Sequence, residues 1–334
     1  MSTSLRDQLL SILTSVEDTD TPTDLSRVTS ALLPPSDNKQ KRGKEWKCAF
    51  IIPDPQIGLM EYEDGSQTHF HDIDAITVMF QIMNHIQNIH GIDLVVNVGD
   101  TIDLPQFGTY AQAAAYANTA NKSFKITHDF LAMQRAVSPL AQIVMLEGNH
   151  ECRLQKYINR LSPSISQVRR VGDEKYPVNS LPYLLALDTI DVEYISGYPA
   201  SKFYINPNLI AVHGTKARSN GSTAYQYINA NPMQTVIFGH SHRFEMAYKT
   251  HDTQYGPVQN GAFSPGCLSR VDGAVPSVNG GLNLDEKPVT HWENWQQGCG
   301  VVWYKDSGEF TIEPIHIMKG WAVYSGVEFR AKYN

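Results

Sequence analysis

The chain has 334 residues, which suits one large domain or one domain with an appendage. Charged residues make up only 18% of it and hydrophobic residues 42%, a balance that excludes a disordered or coiled-coil protein. The formal net charge of −7 excludes a general positive field for holding nucleic acid.

The first 45 residues differ from the rest of the chain. Their leucine and isoleucine spacing predicts two short amphipathic helices, and the polar run Ser36–Lys44, which follows Pro34-Pro35, is typical of a linker. We therefore expect residues 1–45 to form a helical appendage with a linker. Residues 46–334 would form the main domain.

Beyond residue 45, short apolar runs alternate with helical patterns. This alternation predicts an α/β fold, and the strand-rich segment after residue 298 predicts a second sheet. The predicted helices span 75–89 and part of 109–138. The predicted strands lie at 49–52, 94–98, 143–146, 209–212, 235–238, 301–304, 310–312, 315–317 and 323–324.

Two segments interrupt this pattern. Leu59–His71 is predicted to be an exposed polar loop, although His69 and His71 in it allow a further metal site as an alternative. Residues 272–298 are rich in Gly, Asn and Pro and are predicted to be an inserted loop. In it, Trp295 would either stack on a nucleobase or pack the loop onto the domain.

The four cysteines are far apart in the sequence, with no CxxC pair. This excludes a disulfide framework and a structural zinc site, and it predicts a reduced, cytoplasmic setting. No apolar run approaches the ~18–20 residues of a membrane span, so we expect no membrane partner.

Five of the predicted strands end in Asp, Asn or His beside a glycine or proline turn. In α/β sheets these ends form the ligand-binding edge, and carboxylates brought together there repel each other unless a cation binds. Carboxylate, amide and imidazole ligands suit Mn, Fe, Zn or Ni. The sequences at these ends are Asp54-Pro55-Gln56, Gly99-Asp100-Thr101-Ile102-Asp103, Gly148-Asn149-His150-Glu151, Val212-His213-Gly214 and Gly239-His240-Ser241-His242.

In order and spacing, these motifs resemble those of the calcineurin-like metallophosphoesterase superfamily over about residues 47–250. They look most like the motifs of virus-encoded and bacterial members. The resemblance implies a sandwich of two mixed sheets flanked by helices. It also implies a hydrolase with two divalent metal ions that generate hydroxide for attack on phosphorus.

The resemblance further implies the ligands of the two metals. The first would be held by Asp54, Gln56, Asp100 and His242, and the second by Asp100, Asn149, His213 and His240. Gln56 stands where the superfamily usually has His. Because its carbonyl oxygen is a harder ligand than imidazole, we expect a preference for Mn²⁺ over Zn²⁺, or weaker occupancy of the first site.

The resemblance gives His150 the role of protonating the leaving oxygen or stabilising its charge. Asp103 matches the acid that orients this His in the phosphoprotein phosphatase branch, but it could equally cap a turn. Arg153 would contact a substrate phosphate or, more simply, pair with Glu151. Lys216 would add local positive charge or remain an ordinary solvated loop residue.

These features predict a phosphodiesterase that acts on a nucleotide or a short nucleic acid. A phosphomonoesterase, including a phosphoprotein phosphatase, is the alternative reaction. A non-catalytic interaction scaffold with a degenerate metal site is the alternative of a different class. The sequence identifies no protein partner.

Overall fold

A computed structural model describes residues 45–109, 113–218, 221–276, 282–289 and 292–331. Its helices are α1 (Ile73–Ile89), α2 (Ala120–Val137), α3 (Cys152–Leu161), α4 (Leu181–Leu184) and α5 (Thr223–Ala230). Its strands are β1 (Lys47–Ile52), β2 (Leu59–Glu61), β3 (Gln67–His69), β4 (Leu94–Asn97), β5 (Gln142–Leu146), β6 (Val192–Ile195), β7 (Phe203–Asn206), β8 (Leu209–Val212), β9 (Thr235–Phe238), β10 (Phe244–His251), β11 (Val258–Pro265), β12 (Gln297–Tyr304), β13 (Phe310–Ile317), β14 (Trp321–Tyr324) and β15 (Val327–Arg330).

The first sheet has six strands in the order β13-β12-β1-β4-β5-β6. Strands β1, β4, β5 and β6 are parallel, with Ala49 opposite Leu94 and Leu94 opposite Gln142. Their apolar runs are nearly continuous because a parallel sheet is covered on both faces. Strands β12 and β13 extend the sheet in antiparallel pairing.

The second sheet has five strands in the order β10-β11-β9-β8-β7. Strands β8, β9 and β11 are parallel, and the two edge strands are antiparallel to their neighbours. Both sheets are therefore mixed.

The two sheets pack face to face. Their facing residues form one buried core that includes Ile51 and Val96 from the first sheet and Ile237 and Phe263 from the second. Helices α1 and α2 cover the outer face of the first sheet, and α5 covers that of the second. The predicted fold, two mixed sheets flanked by helices, is confirmed.

Helix α1 shows how local sequence sets the boundaries of an element. Asp72 precedes it and accepts hydrogen bonds from the backbone N–H groups of Asp74 and Ala75, at 3.0 and 3.1 Å. Gly91, with φ of 73°, lies just beyond its C-terminus, where a left-handed residue ends many helices. The predicted helix at 75–89 is confirmed and begins two residues earlier, at Ile73.

Two local predictions were wrong. The runs at 310–312 and 315–317 form the single strand β13, because Pro314 lies on an edge strand, where a missing N–H is tolerated. The segment Leu59–His71 is the hairpin β2–β3, and its Met60 and Phe70 are buried. Among the described residues, no helix combines the length and apolarity needed to cross a membrane.

The predicted domain boundaries stay predictions. Residues 1–44 of the expected appendage lie outside the described residues. So do 277–281 and 290–291 of the expected insertion at 272–298.

Candidate metal centre

The predicted ligand residues converge from five strand ends. Strands β1, β4 and β5 of the first sheet and β8 and β9 of the second lead into the same edge of the sandwich. Hydrogen bonds cross between the sheets there: the His240 backbone N–H donates to Asp54 Oδ1 at 2.9 Å. His213 Nε2 lies 3.0 Å from Asn149 Oδ1. Asp54 and His240, which are 186 positions apart in the chain, therefore share one site.

The backbone at this edge is strained. Four residues with side chains have positive φ angles: Gln56 (48°), Asp100 (47°), His240 (66°) and His242 (55°). Such conformations cost about 1–3 kcal/mol each and concentrate at functional sites. The Gln56 N–H donates to the Asp100 carbonyl oxygen at 2.9 Å, so the strained loops support each other.

Two motif glycines allow the loops to approach closely. A Cβ on Gly148 would collide with the carboxylate and backbone N of Asp100. A Cβ on Gly239 would lie 2.5 Å from Asp54 Oδ2. These positions require glycine because the neighbouring carboxylates occupy the space of a side chain.

The converging side chains form two overlapping groups that share Asp100. Within each group the candidate ligand atoms lie within 4.8 Å of one another. One group contains Asp100, His213 and His240, and the other contains Asp54, Asp100 and His242. Every one of these residues is buried except His240, which is partly buried.

Asn149, His213 and His240, here called the Asn149 half, are well connected. Asn149 Oδ1 lies 2.7 Å from His240 Nδ1 and 3.0 Å from His213 Nε2. His213 Nδ1 lies 3.0 Å from the Val98 carbonyl oxygen, which can only accept a hydrogen bond, so Nδ1 carries the N–H. The other ring nitrogen of His213, Nε2, lies 3.3 Å from Asp100 Oδ2.

Asp54, Gln56 and His242, here called the Gln56 half, contain unsatisfied atoms. Asp54 Oδ2, Gln56 Oε1 and His242 Nδ1 are buried without a hydrogen-bond partner among the described residues. Gln56 Nε2 lies 3.1 Å from His242 Nε2, and a half-turn of the amide would put Oε1 there instead. Because unpaired buried polar atoms are costly, a bound cation fits this half.

The charges of the site also fit a cation. Burial would raise the pKa of Asp100, but His150 and His213 outweigh it and hold that pKa well below its usual value. Burial would lower the pKa of His213, but the Asp100 carboxylate outweighs it and raises that pKa to about 9. Burial, and then His213, lower the pKa of His240 to about 4, so this imidazole is neutral and free to be a ligand. In the absence of a metal, protons on imidazoles neutralise the carboxylate that a cation would otherwise pair with.

His150 is held beside the shared carboxylate. Its Nδ1 lies 2.9 Å from Asp103 Oδ1, and its Nε2 lies 3.6 Å from Asp100 Oδ2. Arg153 pairs with Asp103 at 2.5 Å, and its Nη2 lies 3.0 Å from His150 Nε2. Asp103 thus lies where an acid that orients the His150 ring would lie. The simpler prediction for Arg153, a pair with Glu151, was wrong, because Arg153 pairs with Asp103 instead.

Glu151 has a structural role that the sequence did not reveal. Its buried carboxylate accepts hydrogen bonds from the backbone N–H groups of Asp100, Thr101 and Gly148, at 2.9, 2.6 and 2.9 Å. Burial, and then the Asp100 charge, raise the pKa of Glu151 to about 7. The position of Glu151 directly after Asn149-His150 was the only available signal.

The remaining predicted residues lie around the rim of the site. The Trp295 ring contacts His242, with ring centres 4.1 Å apart. Lys216 is exposed, and its Nζ lies 5.9 Å from the centre of the Tyr227 ring. Tyr198, which the sequence did not single out, lies against His213 with ring centres 5.7 Å apart.

Comparison with known proteins agrees with this geometry. The sequence model of the calcineurin-like phosphoesterase family matches residues 68–244, more than half of the 334 residues. No curated protein matches the chain. The matched segment begins after Asp54 and Gln56, so their place in the site rests on the fold rather than on this match. The chain belongs to the calcineurin-like phosphoesterase family and is a metal-dependent hydrolase of phosphoester bonds.

Proposed function

We propose that the protein is a phosphodiesterase that acts on a nucleotide or a short nucleic acid. The observation that carries the proposal is the pair of overlapping ligand groups that share Asp100, with His150 next to them. Two divalent ions bound there would supply Lewis acidity at a phosphoryl oxygen. The protein's own residues hold the ions, orient the ester and move a proton.

The proposed ligands are the seven residues that converge at the strand ends. Asp54, Gln56, Asp100 and His242 hold one ion, and Asp100, Asn149, His213 and His240 hold the other. The close contacts within each half and the unsatisfied atoms of the Gln56 half support this assignment. We propose Mn²⁺ as the preferred ion because oxygen donors outnumber imidazoles around Gln56; Fe, Zn and Ni fit the same donor set less well.

His150 is proposed to protonate the leaving oxygen. Its contact with Asp103 would hold one proton on Nδ1, and Nε2 faces the site. The proton given to the leaving oxygen would be a second one, carried on Nε2 by the imidazolium form of His150. Arg153 contacts the same Nε2. A substrate phosphate would attract this guanidinium through paired hydrogen bonds and release Nε2 for the leaving group. Trp295 and Lys216 would line the entrance for the rest of the substrate.

A phosphomonoesterase is the second candidate reaction. The contact between Asp103 and His150 favours it, because the resemblance associates this pair with the phosphoprotein phosphatase branch. The diester remains preferred because a net charge of −7 and the partly buried site suit a small ester rather than a phosphoprotein surface.

Matched chromogenic esters test the order of these two reactions. Chelator-treated protein is supplied with Mn²⁺, Zn²⁺ or Ni²⁺ and assayed with bis-p-nitrophenyl phosphate and p-nitrophenyl phosphate. We expect metal-dependent turnover with the diester preferred and Mn²⁺ most effective. Activity confined to the monoester would reverse the order. If neither ester is hydrolysed with any metal, both hydrolase proposals fail, and the alternative of a non-catalytic scaffold is favoured.

We also propose the organisation and setting of the chain. Residues 1–45 would form a helical appendage and linker, and residues 46–334 the catalytic domain. The buried cysteines Cys48, Cys152, Cys267 and Cys299 form no disulfide among the described residues, which supports a reducing, cytoplasmic setting.

A further inference from the structure

We infer that Tyr198 and Lys156 form a subsite for the nucleoside part of the substrate and a second phosphate attached to it. This inference rests on the proposed phosphodiesterase function and names the substrate group that is not cleaved. The subsite lies on the His213 side of the centre.

Tyr198 lies next to the centre and outside the packed core. It is partly exposed, and it belongs to none of the hydrophobic clusters formed by the described residues. Its ring neighbours are instead His213, 5.7 Å away between ring centres, and Lys156, whose Nζ lies 5.7 Å from the ring centre. A need for core packing therefore does not explain its position.

The loop that carries Tyr198 is fixed by Glu147. This residue follows β5, and its Oε2 accepts hydrogen bonds from the backbone N–H groups of Gly197 and Tyr198, at 2.7 and 2.8 Å. Its Oε1 accepts from the Tyr194 hydroxyl at 3.1 Å. One carboxylate thus holds three donors, and the ring of Tyr198 is presented at the site by a rigid loop.

Positive charge lies beside this ring. Lys156 and Arg153 are three positions apart on α3, so they project from the same face of the helix. Lys156 is exposed, whereas Arg153 is partly buried against His150 and Asp103. This local pair of cations contrasts with the net charge of −7 of the whole chain.

An aromatic ring next to an exposed lysine suits a ligand that carries both a nucleobase and a phosphate. Rings stack on nucleobases without regard to base identity, and a lysine binds phosphate as a point charge. Trp295, on the opposite side, is less suited to this task because it packs against the hydrophobic cluster around Met60 and Phe70. The subsite therefore fits a nucleoside with a further phosphate, and not a simple alkyl ester.

Two esters with the same leaving group test this inference. They are the p-nitrophenyl ester of thymidine 5′-phosphate and methyl p-nitrophenyl phosphate, assayed in Mn²⁺. We expect the kcat/KM of the thymidine ester, divided by that of the methyl ester, to fall about tenfold in Tyr198→Leu, the size expected for one stacked base. The change should come mainly from a higher KM for the thymidine ester. Tyr198→Phe keeps the ring and should keep the ratio. Tyr255→Leu, in the exposed turn between β10 and β11, is the matched control and should also keep it.

A measurement of binding separates this inference from the proposed function. Thymidine 3′,5′-bisphosphate is titrated into the wild type and the variants by calorimetry, which needs no turnover. We expect about tenfold weaker binding in Tyr198→Leu, and in Lys156→Gln weaker binding that depends less on salt.

An unchanged ester ratio together with unchanged bisphosphate binding in Tyr198→Leu would overturn the subsite, even in an active phosphodiesterase. If neither ester is hydrolysed, the proposed function fails, and the bisphosphate titration alone then decides the subsite.

Discussion

The Asn149 half and the Gln56 half of the centre differ in how their polar atoms are satisfied. In the Asn149 half, one amide oxygen contacts both imidazoles, and the Val98 carbonyl oxygen holds His213. In the Gln56 half, three buried atoms lack a partner among the described residues: Asp54 Oδ2, Gln56 Oε1 and His242 Nδ1. The fold alone orders the first half, whereas the second half needs a ligand to offset its buried polar atoms.

This difference leads to an expected order of metal binding. The Asn149 half offers two imidazoles already held in place, so an ion entering it loses little conformational freedom. The Gln56 half has one imidazole and an amide that must turn its oxygen towards the ion. We therefore expect the Asn149 half to bind its ion more tightly.

Asp100→Asn is the change with the largest expected effect, because Asp100 lies between the two halves and belongs to both groups of candidate ligands. We expect diester turnover to fall at least about 10³-fold, corresponding to several kcal/mol of lost charge stabilisation. Both metal content and initial rates are measured. Asp306→Asn, which alters an exposed carboxylate paired with Lys47, is the matched control. Substantial residual turnover in Asp100→Asn would contradict a shared carboxylate.

His150→Ala tests whether His150 acts as the proton donor rather than as a metal ligand of either half. We expect both ions to be retained and the rate to fall about 10²–10⁴-fold, the range for a lost acid–base group. Elemental analysis and steady-state kinetics measure the two quantities on the same sample. Loss of metal from this variant would show that His150 is a ligand and not a proton donor.

Glu151→Gln tests the support that both halves receive through the Asp100 loop. A glutamine cannot accept all three backbone hydrogen bonds, so we expect a loss of about 10–100-fold in metal affinity or activity. Glu193→Gln, on the exposed side of β6, is the matched control. Equal affinities in the wild type and Glu151→Gln would contradict this positioning role.

Gln56→His alters only the weaker half and has the smallest expected effect. An imidazole there should tighten Zn²⁺ binding by about tenfold, or about 1.4 kcal/mol, and narrow the preference for Mn²⁺. Competition with a chromogenic chelator measures the affinity. Gln142→His, at the exposed start of β5, is the control. If Gln56→His leaves Zn²⁺ affinity unchanged, Gln56 is not a ligand.

The sequence predicted the strand ends well because they depend on local patterns. Each buried parallel strand is a short apolar run, and the polar residue after it lies at the ligand-binding edge of the sheet. This is why residues as distant as Asp54 and His242 could be expected to meet. The same patterning predicted a second sheet, and the resemblance to the superfamily implied that the two sheets form a sandwich.

Contacts between distant segments could not be predicted in this way. Glu147 and Glu151 look like ordinary acidic residues, yet each binds backbone N–H groups that only the folded chain brings near. Tyr198 lies in a loop with no motif. Short polar strands such as β3 were missed because their pairing, rather than their composition, makes them strands.

Titration of Mn²⁺ into chelator-treated protein tests the central claim most directly, when binding and turnover of bis-p-nitrophenyl phosphate are followed together. We predict two ions per chain, bound in two steps of different affinity, with turnover appearing as the second, weaker step fills. Full turnover with a single ion, or the absence of a second binding step, would contradict a two-ion centre built from unequal halves.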